Sequence, residues 1–364
     1  MAVESLVADL IHKVLNLVVP PLSIATLLFL LPPYLFFKSL LSLINSIFSE
    51  NVAGKVVLIT GASSGIGEHL AYVYASRGAC LALVARRESR LVEVANRAYW
   101  LGSPDVIVIR ADVSKVDDCK RFVDETVSHF GRLDHLVNNA GIAPVSRFED
   151  CHDVTKLAPS MDINFWGSAY SSYFAIPHLR QSGGRIVAIA SAASWLPVPR
   201  LSFYSASKAA VVAFYETLRT ELGSDVSITI VTPGLIESEM TQGKFLSEDG
   251  VMILDPELRD VEVSLMPIRS VKVAAEKIVN GACRGDGYLS EPGWIKASMY
   301  WKVFCPEILE WSNRLLLLSR STEDPERNAI SKEILDWSGL KQYLYPTSVQ
   351  YPDLLAHKGL SLDD

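Results

Sequence analysis

The chain of 364 residues lacks any C-x-x-C pair, and its five cysteines (Cys80, Cys119, Cys151, Cys283, Cys305) are scattered and odd in number. A disulfide framework or a zinc ribbon needs closely paired thiols, so neither is expected. No metal site is expected either, and a reducing compartment is the default. Positive charge is also scarce: 34 Lys and Arg against 41 Asp and Glu leave a formal net charge of −7. Nucleic-acid binders carry a basic footprint, so that class of partner is excluded. The chain does not have the polar composition of a disordered protein, since 49% of its residues are hydrophobic and 21% charged. Repeats at solenoid periods are absent.

Charge is missing altogether from Val14 to Phe37, a run of 24 residues bracketed by Lys13 and Lys38. As a straight helix the run is about 36 Å long, enough for a hydrocarbon core of about 30 Å. A cleaved signal peptide does not fit, because Glu4 and Asp9 precede Lys13 and the apolar run is too long. Two proline pairs, Pro20-Pro21 and Pro32-Pro33, interrupt the run, and each proline deletes a backbone hydrogen bond. Only Leu22 to Leu31 lie between them, about 15 Å of helix. Residues 1–50 read as a proline-containing lipid anchor. Two arrangements stay open, a kinked single span and a hairpin that enters and leaves on one side.

After Asn51 the pattern changes. Short apolar runs at Lys55–Thr60, Cys80–Ala85, Val106–Arg110, Leu133–Asn138, Arg185–Ala190 and Val226–Val231 alternate with helical stretches. The helices are expected at Ile66–Arg77, Glu88–Tyr99, Val116–Phe130, Val154–His178 and Tyr204–Leu222. Strands apolar on both faces, alternating with helices, specify an α/β fold with a doubly wound parallel (Rossmann) sheet. Such sheets carry their site at the carboxyl ends of the strands. The expected domain is 51–290, followed by an extension over 291–364 with an aromatic-rich segment and a polar tail.

The first strand–helix turn reads Thr60-Gly61-Ala62-Ser63-Ser64-Gly65-Ile66-Gly67. Glycines there let a pyrophosphate approach the backbone, and the helix start offers unpaired N–H groups, so Gly61, Ser63, Ser64, Gly65, Ile66 and Gly67 are candidate cofactor contacts. The second strand ends Val84-Ala85-Arg86-Arg87, with no acid at its tip to hold a ribose hydroxyl. A guanidinium matches a 2′-phosphate, so Arg86 favours NADP over NAD; the competing reading makes both arginines solvated helix starters.

Tyr204-Ser-Ala-Ser-Lys208 places a phenol and an ammonium on one face of a helix, where the cation would lower the phenol pKa. Spacing alone is weak, since Tyr34 and Lys38 share it inside the apolar segment. Ser191, thirteen residues before Tyr204 at a strand end, adds a hydroxyl for a substrate oxygen, with Ser194 as the competing serine. Together with Asn138-Asn139-Ala140-Gly141 and Pro233-Gly234, these motifs resemble, in order and over about Val52 to Leu289, the short-chain dehydrogenases/reductases.

The resemblance implies that Tyr204 is the general acid/base and that Lys208 lowers its pKa and holds the nicotinamide ribose. It also implies that Ser191 and Tyr204 bind the substrate oxygen and that Asn164 holds a water in a proton relay. Asp112 and Val113 match the adenine contact, and Asn138 the support of the central sheet. Ala140, Gly141, Pro233 and Gly234 match the cofactor-side motifs, and Ser238 the position of a threonine after Pro-Gly. The anchor, the Arg86 tip and the Tyr-Ser-Ala-Ser-Lys sequence are similar to the membrane-attached hydroxysteroid dehydrogenases of the 11β type. The doubled prolines and the long carboxyl extension are more similar still to the steroleosins of seed oil bodies, whose anchor would be a hairpin in a phospholipid monolayer.

The expected function is therefore an NADP-dependent hydroxysteroid dehydrogenase on a lipid droplet or the endoplasmic reticulum membrane, with its catalytic domain facing the cytosol. A reductase of another lipid carbonyl, such as a retinoid or a 3-keto sphingoid base, and a non-catalytic droplet coat protein are the alternatives. Residues from Gly234 to Arg269, with Trp195 to Val198, are candidates for an apolar pocket. Trp294, Trp301, Phe304, Ile308 and Trp311, interleaved with Lys296 and Lys302, are candidates for a second lipid contact. A homodimer through the helices Val154–His178 and Tyr204–Leu222 is expected by the same resemblance. Deletion of residues 1–50 is expected to move the protein from the membrane or droplet fraction to the soluble fraction on flotation. Retention of lipid association would shift anchoring to the Trp294–Trp311 region.

Overall fold

Strand β1 (Val56–Thr60) sends Val57 and Ile59 to one side and Val56 and Leu58 to the other, and all of them are buried. A strand buried on both faces needs cover on both, and this sets the architecture of the larger of two units, Asn51–Asp364, the other being Met1–Glu50. The computed structural model describes residues 2–318 and 329–350.

In the larger unit β1 is joined by β2 (Cys80–Ala85), β3 (Val106–Arg110), β4 (His135–Asn138), β5 (Arg185–Ile189) and β6 (Ser227–Pro233). With β9 (Tyr288–Glu291) they form a seven-stranded sheet in the order β3-β2-β1-β4-β5-β6-β9. Every neighbouring pair is parallel. The strand order reverses between β1 and β4, so a crevice opens there at the carboxyl ends. The helices α2 (Gly65–Ser76), α3 (Glu88–Trp100) and α9 (Val271–Arg284) cover the Val57 face. The opposite face is covered by α4 (Val116–Phe130), α6 (Gly167–Ser182) and α7 (Ser202–Leu222).

The helix expected over Val154–His178 is broken. A 3-10 turn (Val154–Leu157) gives way to the single turn α5 (Pro159–Met161), then to a π-turn (Asp162–Trp166) that runs into α6. Pro159 has no N–H to continue the preceding turn and instead starts a new one at its first position. A hairpin of β7 (Lys244–Leu246) and β8 (Met252–Leu254), followed by α8 (Pro256–Val263), lies between β6 and α9.

Beyond β9, α10 (Ala297–Phe304) and α11 (Pro306–Leu317) carry the aromatic segment. The part of the expected polar tail that is described contributes core. Leu335 in α12 (Ile330–Ser338), with Tyr345 and Val349, packs against Val263 and Ile268. Residues 319–328 and 351–364 of that tail lie outside the described residues.

In the smaller unit α1 (Ala2–Ile47) is one helix of 46 residues with both proline pairs inside it. The break expected at the prolines is absent, and so is a hairpin turn. The fixed φ of proline is compatible with a helix, and what the pairs remove is hydrogen-bond donors. Ser5–Asn45 is long and apolar enough to cross a membrane, with mean hydropathy 2.2, and none of that stretch is buried against protein.

The edge of the sheet away from the crevice is held by Asp134. Its buried carboxylate accepts from the Val56 N–H at 2.9 Å and twice from the Arg132 guanidinium at 2.8 and 2.6 Å. Asp134→Ala strands the Val56 amide, whereas the half-exposed Arg132 can turn to water. Urea unfolding is expected to show a loss of about 1–3 kcal/mol; an unchanged midpoint would show that this carboxylate does not hold the edge.

Candidate active site

The turn after β1 is packed too tightly to carry side chains. Gly61 has φ +65°, and a Cβ there would stand 2.8 Å from the Ala140 Cα. A Cβ on Gly67 would meet the Gly61 carbonyl oxygen at 2.4 Å. Thr60 and Asn139 tie this turn to the end of β4. The Asn139 and Ala140 N–H groups donate to Thr60 Oγ1 at 3.0 and 3.2 Å, and Asn139 Nδ2 donates to the Thr60 and Gly61 carbonyls. The turn thus opens onto the crevice with its backbone bare.

Ser64 is the N-cap of α2, yet its hydroxyl caps no N–H of that helix. It accepts instead from Arg87 Nη2 at 2.7 Å, and Ser63 Oγ accepts from Arg87 Nε and Nη2 at 3.3 and 3.2 Å. Arg87 Nη1 donates to Glu239 Oε1 at 2.7 Å. Arg86, the residue singled out in the sequence, is exposed at the tip of β2. Ser238 lies over Gly65, where a Cβ would stand 3.3 Å from the Ser238 Cβ. Gly234 donates to the Glu291 carbonyl at 2.9 Å and has no room for a Cβ beside Ile295. The loop after Pro233 therefore closes over the first turn of α2.

Asp112 folds the loop after β3 by accepting from the Ser114 N–H and hydroxyl, and Val113 packs against Gly167 at the start of α6. Asn138 turns its side chain away from the crevice. Its Nδ2 donates to Ser168 O, Ser172 Oγ and Tyr215 Oη, stitching β4 to α6 and α7.

On the β5 side, Ser191 caps the turn Ala192–Ser194, its hydroxyl accepting from the Ala193 N–H at 3.1 Å. The same hydroxyl faces the phenol of Tyr204, in the first turn of α7, closely enough to act on its pKa. Burial pushes the Tyr204 pKa up, and the Ser191 hydroxyl works against it. Lys208 Nζ donates to the Ile189 carbonyl at 3.0 Å and lies 5.9 Å from the Tyr204 ring centroid. Burial pushes Lys208 down to about 8.

Gly141 leaves space beside this pair, since a Cβ there would stand 3.3 Å from Lys208 Nζ and 3.2 Å from Asn164 Oδ1. Asn164, in the π-turn, accepts from the Ile142 N–H at 2.8 Å and donates to the Ile142 carbonyl and to Ser207 Oγ. Both its N–H groups are used, leaving one lone pair on Oδ1.

Tyr204 is walled by Ala143, Val145, Ala193, Phe245 and Leu258, with Met240 and Leu201 at the margin. Strand β7 is bonded across this wall, Val145 N–H to the Leu246 carbonyl and Leu246 N–H to the Ala143 carbonyl. Of the expected pocket residues, Phe245 and Met240 reach the wall, while Val251 and Met252–Leu254 face outward. The rim is fastened to the aromatic helices. Trp195 Nε1 donates to Ser298 Oγ at 2.9 Å and Asn313 Nδ2 to the Pro197 carbonyl at 3.0 Å. Trp294, Trp301, Phe304, Ile308 and Trp311 remain exposed.

A bare turn at the sheet's reversal point, beside a Ser–Tyr–Lys set whose phenol and ammonium are buried, defines a nicotinamide-dependent oxidoreductase. Residues 55–249 match the short chain dehydrogenase family, and the chain belongs to it. It is 57% identical over 345 residues to 11-beta-hydroxysteroid dehydrogenase A of Sesamum indicum, covering 95% of this chain and 99% of that one. It is 55% identical over 346 residues to 11-beta-hydroxysteroid dehydrogenase 1A of Arabidopsis thaliana, with the same coverage. Such coverage takes in the apolar N-terminal helix, in keeping with the steroleosin-like pattern. Among solved structures, an alcohol dehydrogenase from the archaeon Thermococcus sibiricus, complexed with 5-hydroxy-NADP, is 26% identical with a TM-score of 0.54. That match covers 65% of this chain and 95% of the archaeal one.

The sequence reading missed Arg87, Glu239 and the Thr60–Asn139 tie. Arg87 was visible only as the twin of Arg86, and nothing in the local pattern tells which of two adjacent arginines turns inward. Gly67→Ala is expected to cost about 1–3 kcal/mol in thermal unfolding by overpacking against the Gly61 carbonyl. A variant as stable as the parent would show that the turn has slack.

Proposed function

We propose that the protein is an NADP-dependent hydroxysteroid dehydrogenase working at a lipid surface. The observation that carries this reading is the buried phenol of Tyr204, facing Ser191 and flanked by Lys208 at the mouth of the dinucleotide crevice. The residues present fit a dinucleotide: a turn without side chains at Gly61 and Gly67, a cleared space at Gly141, and cations at Arg86, Arg87 and Lys208. Gly61, Ser63, Ser64, Gly65, Ile66 and Gly67 would hold its phosphates, and Asp112 and Val113 its adenine. Ala140, Gly141, Lys208 and the Pro233-Gly234 loop with Ser238 would hold its nicotinamide half. Bound, it would supply or accept a hydride at the substrate's carbinol carbon.

The chain's own residues handle the oxygen. Ser191 and Tyr204 orient a carbonyl or alcohol oxygen between their hydroxyls. In reduction Tyr204 Oη gives its proton to the developing alkoxide; in oxidation it takes the proton back. The Lys208 ammonium favours the transient phenolate, and Asn164 fixes the Gly141–Ile142 segment beside it, its free lone pair available to a relay water. The apolar wall of Val145, Phe245 and Leu258 suits a rigid lipid alcohol, and the plant relatives are named for hydroxysteroids.

Helix α1 anchors the chain, and the exposed aromatics of α10 and α11 suit a second lipid contact. A lipid droplet or the endoplasmic reticulum membrane, with the larger unit in the cytosol, is the setting this implies. A homodimer through α6 and α7 completes the reading. Tyr204→Phe removes only the proton carrier. Steroid-dependent turnover of NADP(H) is expected to fall by about 10²–10⁴, with dinucleotide affinity unchanged by calorimetry. Undiminished turnover would eliminate the mechanism.

A further inference from the structure

We infer that residues 329–350 form a strap that sets the substrate wall from behind, with Arg259 and Tyr345 as its positioning residues. The inference rests on the hydroxysteroid reading given above and deepens it, because the wall concerned is the one that reading gives to the substrate.

The segment between β6 and α9 supplies Met240, Phe245 and Leu258 to the surroundings of Tyr204. Little of it can hold that shape unaided. Strands β7 and β8 have three residues each, and α8 has eight, about 12 Å of helix. Helices so short depend on tertiary contacts for their stability. Helix α8 makes those contacts on two sides. Leu258 goes to the Tyr204 wall, whereas Val263 packs with Leu335, Tyr345 and Val349 of the strap.

Polar contacts fix the strap to the same segment at its start, middle and end. Near the start, Gln242 Nε2 donates to the Ser348 carbonyl at 3.2 Å and ties down the turn that carries Met240. In the middle, Arg259 Nη1 donates to the Val349 carbonyl at 2.6 Å and Lys341 Nζ to Asp260 Oδ2 at 2.6 Å. At the end, the Ile268 N–H donates to the Leu344 carbonyl at 2.9 Å, and the Tyr345 hydroxyl to the Ser264 carbonyl at 2.8 Å. Ser264 closes α8 in the left-handed region, at φ 56°, a conformation that a serine keeps when its neighbours hold it there.

Arg259 makes the coupling mechanical. Its side chain is 2% exposed, and a guanidinium stays out of water only while it has acceptors. One acceptor is Asp260 beside it, and the other is the strap's Val349 carbonyl. Leu258 precedes Arg259 in the helix, about 100° around the axis. With the strap unseated, Arg259 turns toward water, and the same rotation draws Leu258 out of the wall. The strap thus acts on the substrate without touching it.

The test uses the full-length protein in detergent, assayed with NADP and two alcohols. Corticosterone is a large 11β-hydroxysteroid, and cyclohexanol is a single ring too small to span the wall. Val349→Asp puts a charge in the buried seat of the strap. The corticosterone KM is expected to rise at least about tenfold, with cyclohexanol kcat/KM and dinucleotide affinity within about twofold of wild type. Tyr345→Phe keeps the packing and removes one bond. Its amide exchange across 256–268 is expected to quicken about fivefold, with β5 and β6 unchanged. Should Val349→Asp not fold, Tyr345→Phe carries the kinetic test, its corticosterone KM expected to rise about threefold. An equal loss with both alcohols, an unchanged corticosterone KM, or exchange that quickens throughout the sheet would each overturn the inference and leave the hydroxysteroid reading intact. A wild type that binds NADP but oxidises cyclohexanol alone would overturn the hydroxysteroid reading. Exchange across 256–268 would then decide the strap by itself: faster in Tyr345→Phe upholds it, unchanged overturns it.

Discussion

A buried ammonium has to be given oxygen, and much of this fold is arranged around giving it to Lys208. The Ile189 carbonyl at the end of β5 accepts a hydrogen bond from it, and burial brings the group down to about 8. Placing that cation one turn from Tyr204 requires α7 to begin at the strand ends. Keeping room beside it requires glycine at 141, and holding the glycine's neighbours requires the Asn164 amide, which the π-turn presents to both main-chain groups of Ile142. Nothing in this set is replaceable by a merely well-packed core, since a scaffold has no use for an unneutralised lysine under its sheet.

Much of the larger unit was legible from the sequence because its strands are buried on both faces. Cys80–Ala85 and Val106–Arg110 coincide residue for residue with β2 and β3, and Val116–Phe130 with α4. The placement of Tyr204 and Lys208 was legible because it rests on a short spacing within one helix. What the sequence did not show depends on contacts between distant segments. The wide turn at Asp162–Trp166 answers to Ile142, and the strands β7 to β9 are too short to carry a period-two pattern. The proline pairs misled for a different reason: local rules count the hydrogen bonds they delete, but a 46-residue helix keeps its course through four such losses.

The carboxyl extension is less an appendage than a rim. Arg200, buried and in the left-handed region at φ 66°, donates to the Leu317 carbonyl at the end of α11 and pairs with Glu262 in α8 at 3.3 Å. Burial pushes the Glu262 carboxyl up to about 7 against the pull of Arg200. With the Trp195–Ser298 and Asn313–Pro197 bonds, this pair fixes the aromatic helices to the loop that links Ser191 to Tyr204. The exposed aromatic surface and the Ser191–Tyr204 loop are thus parts of one mechanical assembly.

The prolines of α1 leave a signature of their own. Pro20, Pro21, Pro32 and Pro33 bring no amide proton, so the carbonyls of Asn16, Leu17, Leu28 and Phe29 have no partner four residues on. Bare carbonyls are expensive in hydrocarbon, at several kcal/mol each. The rod therefore carries two notches of unsatisfied oxygen, twelve residues or about 18 Å apart, each seeking water or a phospholipid headgroup. In the proposed lipid anchor those notches would grade depth as much as the length of the greasy stretch between them.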